Sequence, residues 1–202
     1  KLDILAFKPQ KLDEVAPELA RLLTEETVIV SILAGVEAAT LRSRFMRARS
    51  VVRAMPNLPV SIRRGVVALY SDDADEELRN QLSELAAMLG YAMWASSESG
   101  LAAIGTVAGA GPAYVARFIR ALAKAGERRG LPEALAATIA VETVLGTAWL
   151  AAAGRESMDE IVRRVASPNG TTGAPALAAS QREIVETLST SATLALAQIE
   201  EI

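Results

Sequence analysis

Residues 51–59 read Val-Val-Arg-Ala-Met-Pro-Asn-Leu-Pro, an apolar run that ends in two prolines. The run predicts a β-strand over 51–55, since short apolar segments bounded by turn residues are typical of strands. Pro56 and Pro59 each fix a φ angle and remove a backbone donor, so a rigid loop must follow. Asn57 in that loop has a donor and an acceptor, which suits it to bind a carboxamide. A stiffened turn that uses Asn for its tolerance of the left-handed region explains the same residues.

The alternation of short apolar runs with amphipathic segments extends from residue 4 to about residue 94. It is typical of an α/β unit with a parallel sheet and short connections. The predicted strands are 4–7, 27–33, 51–55, 66–70 and 91–94. The predicted helices lie near 12–23, 38–46 and 75–89, with the first of them broken or restarted at Pro17.

Beyond about residue 97 the β signal stops and helical periodicity remains. Residues 112–129 carry charged side chains on one side and large apolar ones on the other, which predicts an amphipathic helix. Residues 134–153 contain a single charge, Glu142, and are long enough to span a membrane. Glu142, three threonines, the alanine-rich composition and the lack of basic flanks favour a buried helix instead, covered by a second copy in a homodimer or a larger homo-oligomer. Further helices are predicted at 158–165 and 183–202, around a turn-rich stretch at 166–179.

The composition excludes several classes of function. The 202 residues include 21 Lys and Arg against 24 Asp and Glu and no polybasic run, which argues against nucleic-acid binding. The sequence has no Cys and no His, so disulfides, catalytic thiols, imidazole chemistry and Cys/His zinc sites are excluded, and no metal site is predicted. The chain opens at Lys1 in an apolar run that has no basic segment or cleavage site, so we expect no signal peptide and a cytoplasmic protein.

Three further loops have residues that shape the backbone or leave its N–H groups accessible to a ligand. Ala6-Phe7-Lys8-Pro9-Gln10 follows the first predicted strand, and ligands of α/β sheets bind outside the carboxyl ends of the strands. Residues 109–114, Gly-Ala-Gly-Pro-Ala-Tyr, and 167–172, Ser-Pro-Asn-Gly-Thr-Thr, combine bare backbone N–H groups with hydroxyls at predicted helix starts, where an anion can bind. An ordinary turn with a solvated lysine explains the first loop as well, and helix capping explains the other two.

Taken together and in this order, these motifs and Ser31-Ile32-Leu33-Ala34-Gly35 resemble the pyrroline-5-carboxylate reductase family. The resemblance implies a Rossmann-type α/β domain, 1–96, followed by an all-helical dimerisation and substrate-binding domain, 97–202. It implies reduction of the cyclic imine 1-pyrroline-5-carboxylate to L-proline, the last step of proline biosynthesis, with NADPH or NADH as cofactor.

The resemblance also implies roles for single residues. Ala6, Phe7, Lys8 and Pro9 would line the dinucleotide, and Asn57 would lie near its nicotinamide end. Ser167, Gly170, Thr171 and Thr172 would bind the substrate, with Thr172 as the catalytic hydroxyl beside the imine nitrogen.

The sequence departs from the family pattern at several positions. Leu58 replaces the usual Thr, Ala108 and Ala110 replace Ser, and Asn169 replaces Gly. The glycine-rich dinucleotide fingerprint is absent, so we expect the chain to lack the first part of the nucleotide-binding domain.

Two alternatives stay open. A β-hydroxyacid-type dehydrogenase of similar plan would use a helix-borne lysine, for which Lys124 is the candidate. A dimerisation module without catalytic activity would need neither the lysine nor the missing fingerprint.

Overall fold

The computed structural model describes residues 1–154, 157–165 and 186. The chain forms two compact units, of which the first includes Lys1–Pro112 and the second lies within Ala113–Leu194. The domain boundary that the sequence places between residues 96 and 97 stays a prediction.

A five-stranded sheet organises the first unit. Its strands are β1 (Leu2–Leu5), β2 (Val28–Ser31), β3 (Ser50–Pro56), β4 (Gly65–Tyr70) and β5 (Gly90–Trp94), in that spatial order. The pairs β1–β2, β2–β3 and β4–β5 are parallel, as predicted. The pair β3–β4 is antiparallel, so the expectation of a parallel sheet is wrong at this point. Only residues 57–64 join these two strands, and a parallel crossover needs a dozen residues or more.

The helices of the first unit agree closely with the predicted segments. They are α1 (Leu12–Leu22), α2 (Ala38–Arg44), α3 (Glu76–Ala87) and α4 (Glu98–Ala108), the last within the stretch predicted as helical. The predicted break at Pro17 is wrong, because α1 runs through that residue. Leu12 and Ala16 bury one face of α1 in the core, and tertiary packing of this kind outweighs a local propensity.

The helices cover both faces of the sheet. Ile29 and Val51 pack with residues of α1 and α2 on one face, together with Phe45. Val28 and Val52 point the other way and pack with Leu78, Leu82 and Ala86 of α3. Successive residues of one strand thus face opposite helix layers, an arrangement that is typical of α/β units.

The described part of the second unit is helical, as predicted. It contains α5 (Gly111–Glu127, whose first two residues belong to the first unit), α6 (Glu133–Gly154) and α7 (Met158–Val165). A small cluster of Ala123, Ala136 and Ala140 joins α5 to α6, and the two alanines of α6 are its only buried residues. Large apolar side chains of both helices are exposed: Val115, Phe118, Leu122, Leu135, Ile139, Val141, Leu145, Trp149 and Leu150. The predicted turn-rich stretch at 166–179 and the helix at 183–202 lie outside the described residues, apart from Glu186.

The turn between β3 and β4 requires glycine at position 65. A Cβ there would lie 2.6 Å from the backbone nitrogen of Val60 and 2.8 Å from Oδ1 of Asn57. We therefore predict that Gly65→Ala lowers the free energy of unfolding by about 1–3 kcal/mol, as overpacking does. Urea denaturation followed by circular dichroism measures the change.

Gly100→Ala is the matched control for this prediction. Gly100 lies in the first turn of α4, and an added Cβ would approach nothing closer than the Ser97 hydroxyl at 3.2 Å. The Ser97 side chain must shift by a few tenths of an ångström, and the preference of alanine for a helix, about 1 kcal/mol over glycine, offsets that cost. This variant should therefore unfold at a higher urea concentration than Gly65→Ala. Equal midpoints for the two variants would contradict the steric account.

Candidate functional site

The carboxyl ends of β1, β2 and β3 lie at one edge of the sheet, because these strands are parallel neighbours. We call this the carboxyl edge; it carries the loops 6–11, 32–37 and 57–64. Ser31, the last residue of β2, pairs with Arg53, and β3 continues for three more residues to Pro56. Asn57 therefore lies about 13 Å beyond the end of β2 along the strand direction, at about 3.3 Å per residue.

The loop after β1 leaves its backbone accessible at the carboxyl edge. Ala6 is exposed and small, so a ligand can approach the main chain there. Phe7 packs against the core beneath α1 and α2 and anchors the loop. Lys8 is exposed and precedes a 3-10 turn over Pro9–Lys11, in which its carbonyl accepts from the N–H of Lys11 at 2.9 Å. The structure thus places all four predicted residues of this loop at the carboxyl edge.

Asn57 follows β3 at the same edge, and its carboxamide is engaged by backbone groups. Oδ1 accepts from the N–H of Val66 at 2.8 Å, and Nδ2 donates to the carbonyl of Ala108 at 3.0 Å. Each atom can make one more hydrogen bond, so a ligand contact is compatible with this geometry. The predicted pairing of the whole carboxamide with a ligand, however, competes with two bonds inside the protein.

Helix α4 is attached to β3 by three side chains of that segment. Arg53 donates to Glu98 at 2.6 Å, Met55 packs against Gly105, and Asn57 bonds to Ala108. Residues 53, 55 and 57 alternate along the strand and so face the same side of the sheet. From the first contact to the last, β3 advances about 13 Å and α4 about 15 Å, so the helix runs alongside the strand. It ends beside Asn57, which brings Gly109 to the carboxyl edge.

Glu98, which the sequence did not identify as a site residue, links α4 to β3 and also to α2. Oε1 of Glu98 accepts from Arg53 and also from the backbone N–H of Ala38, at 2.7 Å. Ala38 begins α2, and no side chain of its own helix caps that end. Arg53 and Glu98 are partly buried, and their charges neutralise each other in an ion pair at the level where β2 ends. No local pattern pairs Glu98 with Arg53, because 45 residues separate them.

The charge at the carboxyl edge fits an anionic ligand. Lys8 and Arg63 are exposed cations on two of its loops. Within the described residues, no three Asp or Glu side chains are grouped as metal ligands. An anionic group would meet backbone N–H groups and exposed cations there.

The other predicted site residues lie elsewhere in the chain. Ser167, Gly170, Thr171 and Thr172 fall outside the described residues, so their roles stay predictions. Lys124, the candidate of the alternative dehydrogenase, is on α5 in the second unit. Its Nζ lies 2.6 Å from a carboxylate oxygen of Glu127, and its side chain is 57% exposed.

Known proteins resemble this chain along most of its length. A family profile described as pyrroline-5-carboxylate reductase dimerisation matches residues 98–202. The pyrroline-5-carboxylate reductase of Pseudomonas aeruginosa is 38% identical over 172 residues, which are 85% of this chain and 63% of that protein. The enzyme of Synechocystis is also 38% identical, over 84% of this chain and 62% of its own length. The chain thus spans somewhat less than two thirds of these relatives.

Solved structures agree with the fold. A pyrroline-5-carboxylate reductase from Coxiella burnetii superposes with a TM-score of 0.89 at 30% identity, over 99% of this chain and 75% of that one. A pyrroline carboxylate reductase from Plasmodium falciparum, solved with NADP bound, has a TM-score of 0.84 over 98% of this chain and 79% of its own, at 20% identity, and supports the fold alone. With its sheet, its helical unit and these matches, the chain belongs to the pyrroline-5-carboxylate reductase family.

Proposed function

We propose that the protein reduces 1-pyrroline-5-carboxylate to L-proline with NADPH or NADH, as an enzyme of proline biosynthesis. The observation that carries the proposal is the 38% identity to a pyrroline-5-carboxylate reductase over 85% of the chain. The carboxyl edge supports it, because the loop 6–9 and Asn57 lie where α/β sheets bind their ligands.

The residues of the carboxyl edge suit a dinucleotide. Bound there, a reduced nicotinamide supplies a hydride. Ala6 leaves room for close approach to the backbone, Phe7 holds the loop against the core, and Lys8 offers a cation to a phosphate. Asn57 stands at the far end of the same edge, on the segment that continues beyond β2. The four loop residues and Asn57 therefore belong to two loops of one edge, separated by the strand β2.

The reaction on the imine requires little acid–base chemistry from the protein. A cyclic imine can arrive already protonated, which suits a sequence that has no His and no Cys. Correct placement of donor and acceptor contributes about 7–11 kcal/mol in favourable cases. Ser167, Gly170, Thr171 and Thr172 would hold the carboxylate and the ring, and the Thr172 hydroxyl would donate to or accept from the imine nitrogen. A neutral hydrogen bond of this kind contributes about 1 kcal/mol.

We further propose that the second unit associates with a second copy of the chain. Phe118 on α5 is 50% exposed, and Leu145 on α6 is 49% exposed. Residues 98–127 and 133–154 are long and apolar enough to cross a membrane by length and composition. The dimerisation profile covers both stretches and supports a protein partner for their apolar faces instead. A homodimer, or a larger homo-oligomer, in the cytoplasm accounts for the exposed apolar faces without a membrane. We propose no nucleic-acid partner.

The purified protein should oxidise NADPH or NADH only when 1-pyrroline-5-carboxylate is present, as followed by the absorbance of the reduced cofactor. Thr172→Ala should lower kcat by about tenfold at most, because one neutral hydrogen bond is lost. Thr106→Ala, at a partly exposed threonine of α4 whose hydroxyl donates to the Ala103 carbonyl, is the control and should leave kcat unchanged. A folded protein with no imine-dependent oxidation would favour the dimerisation module, and complete loss in Thr172→Ala would give Thr172 a larger role than hydrogen bonding.

Lys124→Met separates the proposed reductase from the β-hydroxyacid-type dehydrogenase. Lys124 forms an exposed ion pair, so its removal should leave kcat/KM within about twofold of wild type, since such pairs contribute little. Arg117→Met removes a charge from the same helix and serves as the control. A loss of about 10²-fold or more confined to Lys124→Met would identify it as a general acid or base and support the alternative.

Leu145→Glu should dissociate the proposed dimer. Burying a leucine stabilises by about 2 kcal/mol, and a symmetric interface contains the residue twice, so the dissociation constant should rise about 10²- to 10³-fold. Leu85→Glu on α3, where the leucine is 46% exposed in the first unit, is the matched control. Sedimentation velocity over a concentration series measures both. Equal dissociation constants would contradict an interface that includes α6.

A further inference from the structure

We propose that Asn57 is a positioning residue whose carboxamide holds the last turn of α4, and with it the Gly109–Gly111 loop, at the carboxyl edge. The kinetic consequences of this proposal rest on the proposed reductase function, whereas its structural consequences do not.

The orientation of the Asn57 carboxamide is fixed by its two partners. The Val66 N–H can only donate and the Ala108 carbonyl can only accept, so Oδ1 must face the former and Nδ2 the latter. A reversed amide would place like groups together at both ends. Position 57 therefore needs one side chain with an acceptor and a donor, which neither Asp nor Ala supplies.

The β3–β4 turn holds Asn57 independently of α4. The backbone N–H of Asn57 donates to the Val66 carbonyl, and its carbonyl accepts from the Val60 N–H, both at 3.1 Å. The carboxamide oxygen continues this ladder by one more bond to Val66. Gly65 lets the turn close around the side chain. With Oδ1 and both backbone groups held in the turn, Nδ2 is the group that reaches out to α4, so the turn determines where the helix ends.

On the other side of this bond, Ala108 is the last residue of α4. Carbonyls in the last turn of a helix have no partner within the helix. Asn57 supplies that partner from the sheet and acts as a C-terminal cap. The Gly109 N–H, which donates to Gly105 at 2.9 Å, belongs to the same turn. Of the three attachments of α4 to β3, the Asn57 bond lies nearest the Gly109–Gly111 loop, so its loss should loosen that loop most.

A positioning residue and a cofactor ligand differ in what their loss changes. A residue that bound the nicotinamide would lower dinucleotide affinity when removed. A residue that fixes the loop beside it should lower kcat, since a displacement of about 1 Å can cost up to 10²-fold in rate, and should leave dinucleotide affinity unchanged.

Hydrogen exchange tests the structural half of the proposal. Asn57→Asp keeps an oxygen for the Val66 N–H but turns an oxygen toward the Ala108 carbonyl, so exchange in segment 104–111 should become at least about fivefold faster while Val66 stays protected. Asn57→Ala should release both. Asn80→Asp, at an exposed position of α3, is the control for the added charge. Exchange in segment 104–111 that is equal in Asn57→Asp and Asn80→Asp would overturn the proposal, even if the wild type proved not to be a reductase.

Kinetics test the other half. Asn57→Ala should lower kcat about tenfold and leave the Kd of NADPH, measured by fluorescence titration, within about twofold, with Asn80→Ala as the control. A tenfold weaker Kd with unchanged exchange would make Asn57 a cofactor ligand and overturn the proposal. Unchanged kcat and Kd with faster exchange would reduce its role to stability and also overturn it. Should Asn57→Ala fail to fold, Asn57→Asp serves for both measurements.

Discussion

The contacts of α4 with β3 and β4 determine where the chain goes after the sheet. Because β4 is antiparallel to β3, β4 and β5 both end at the edge opposite the candidate site. Helix α4 returns the chain to the carboxyl edge, where Leu101 packs it against Ala68 of β4 and the three same-face side chains of residues 53, 55 and 57 attach it to β3. The three side chains make different kinds of contact: an ion pair, close packing at a glycine, and a hydrogen bond to a carbonyl at the end of α4. The antiparallel strand β4 leads the chain away from the carboxyl edge, and α4 brings it back.

The second unit is alanine-rich, and its two long helices bury little apolar area against each other. Ala123, Ala136 and Ala140 let α5 and α6 approach closely, but three small side chains bury little apolar area. The larger apolar residues of both helices then face outward. Association with a second copy would bury them and stabilise the unit at the same time, so folding and dimerisation of this half are expected to be coupled.

Hydrophobic periodicity predicted the elements closely, because the burial of one face leaves a period in the sequence. Strand β3 and helix α6 differ from their predicted ranges by one residue at each end. Strand direction leaves no such period, and the antiparallel pair β3–β4 could have been predicted only from the short segment 57–64. The link from Arg53 to Glu98 spans 45 residues, and no local pattern identifies the partner. The predicted break at Pro17 is wrong because the packing of Leu12 and Ala16 in the core outweighs the local propensity of proline to end a helix.

The candidate site depends more on geometry than on charge. Arg53 lies beside the site, but Glu98 neutralises its charge, and the pair connects β3 to α4 and to the start of α2. Lys8 and Arg63 are exposed and solvated, and such cations contribute modestly to binding. A chain without His or Cys then has backbone groups, amides and hydroxyls with which to orient a ligand. Their effect depends on precise placement, so the residues that fix the loops should matter to the reaction as much as the residues that touch the ligand.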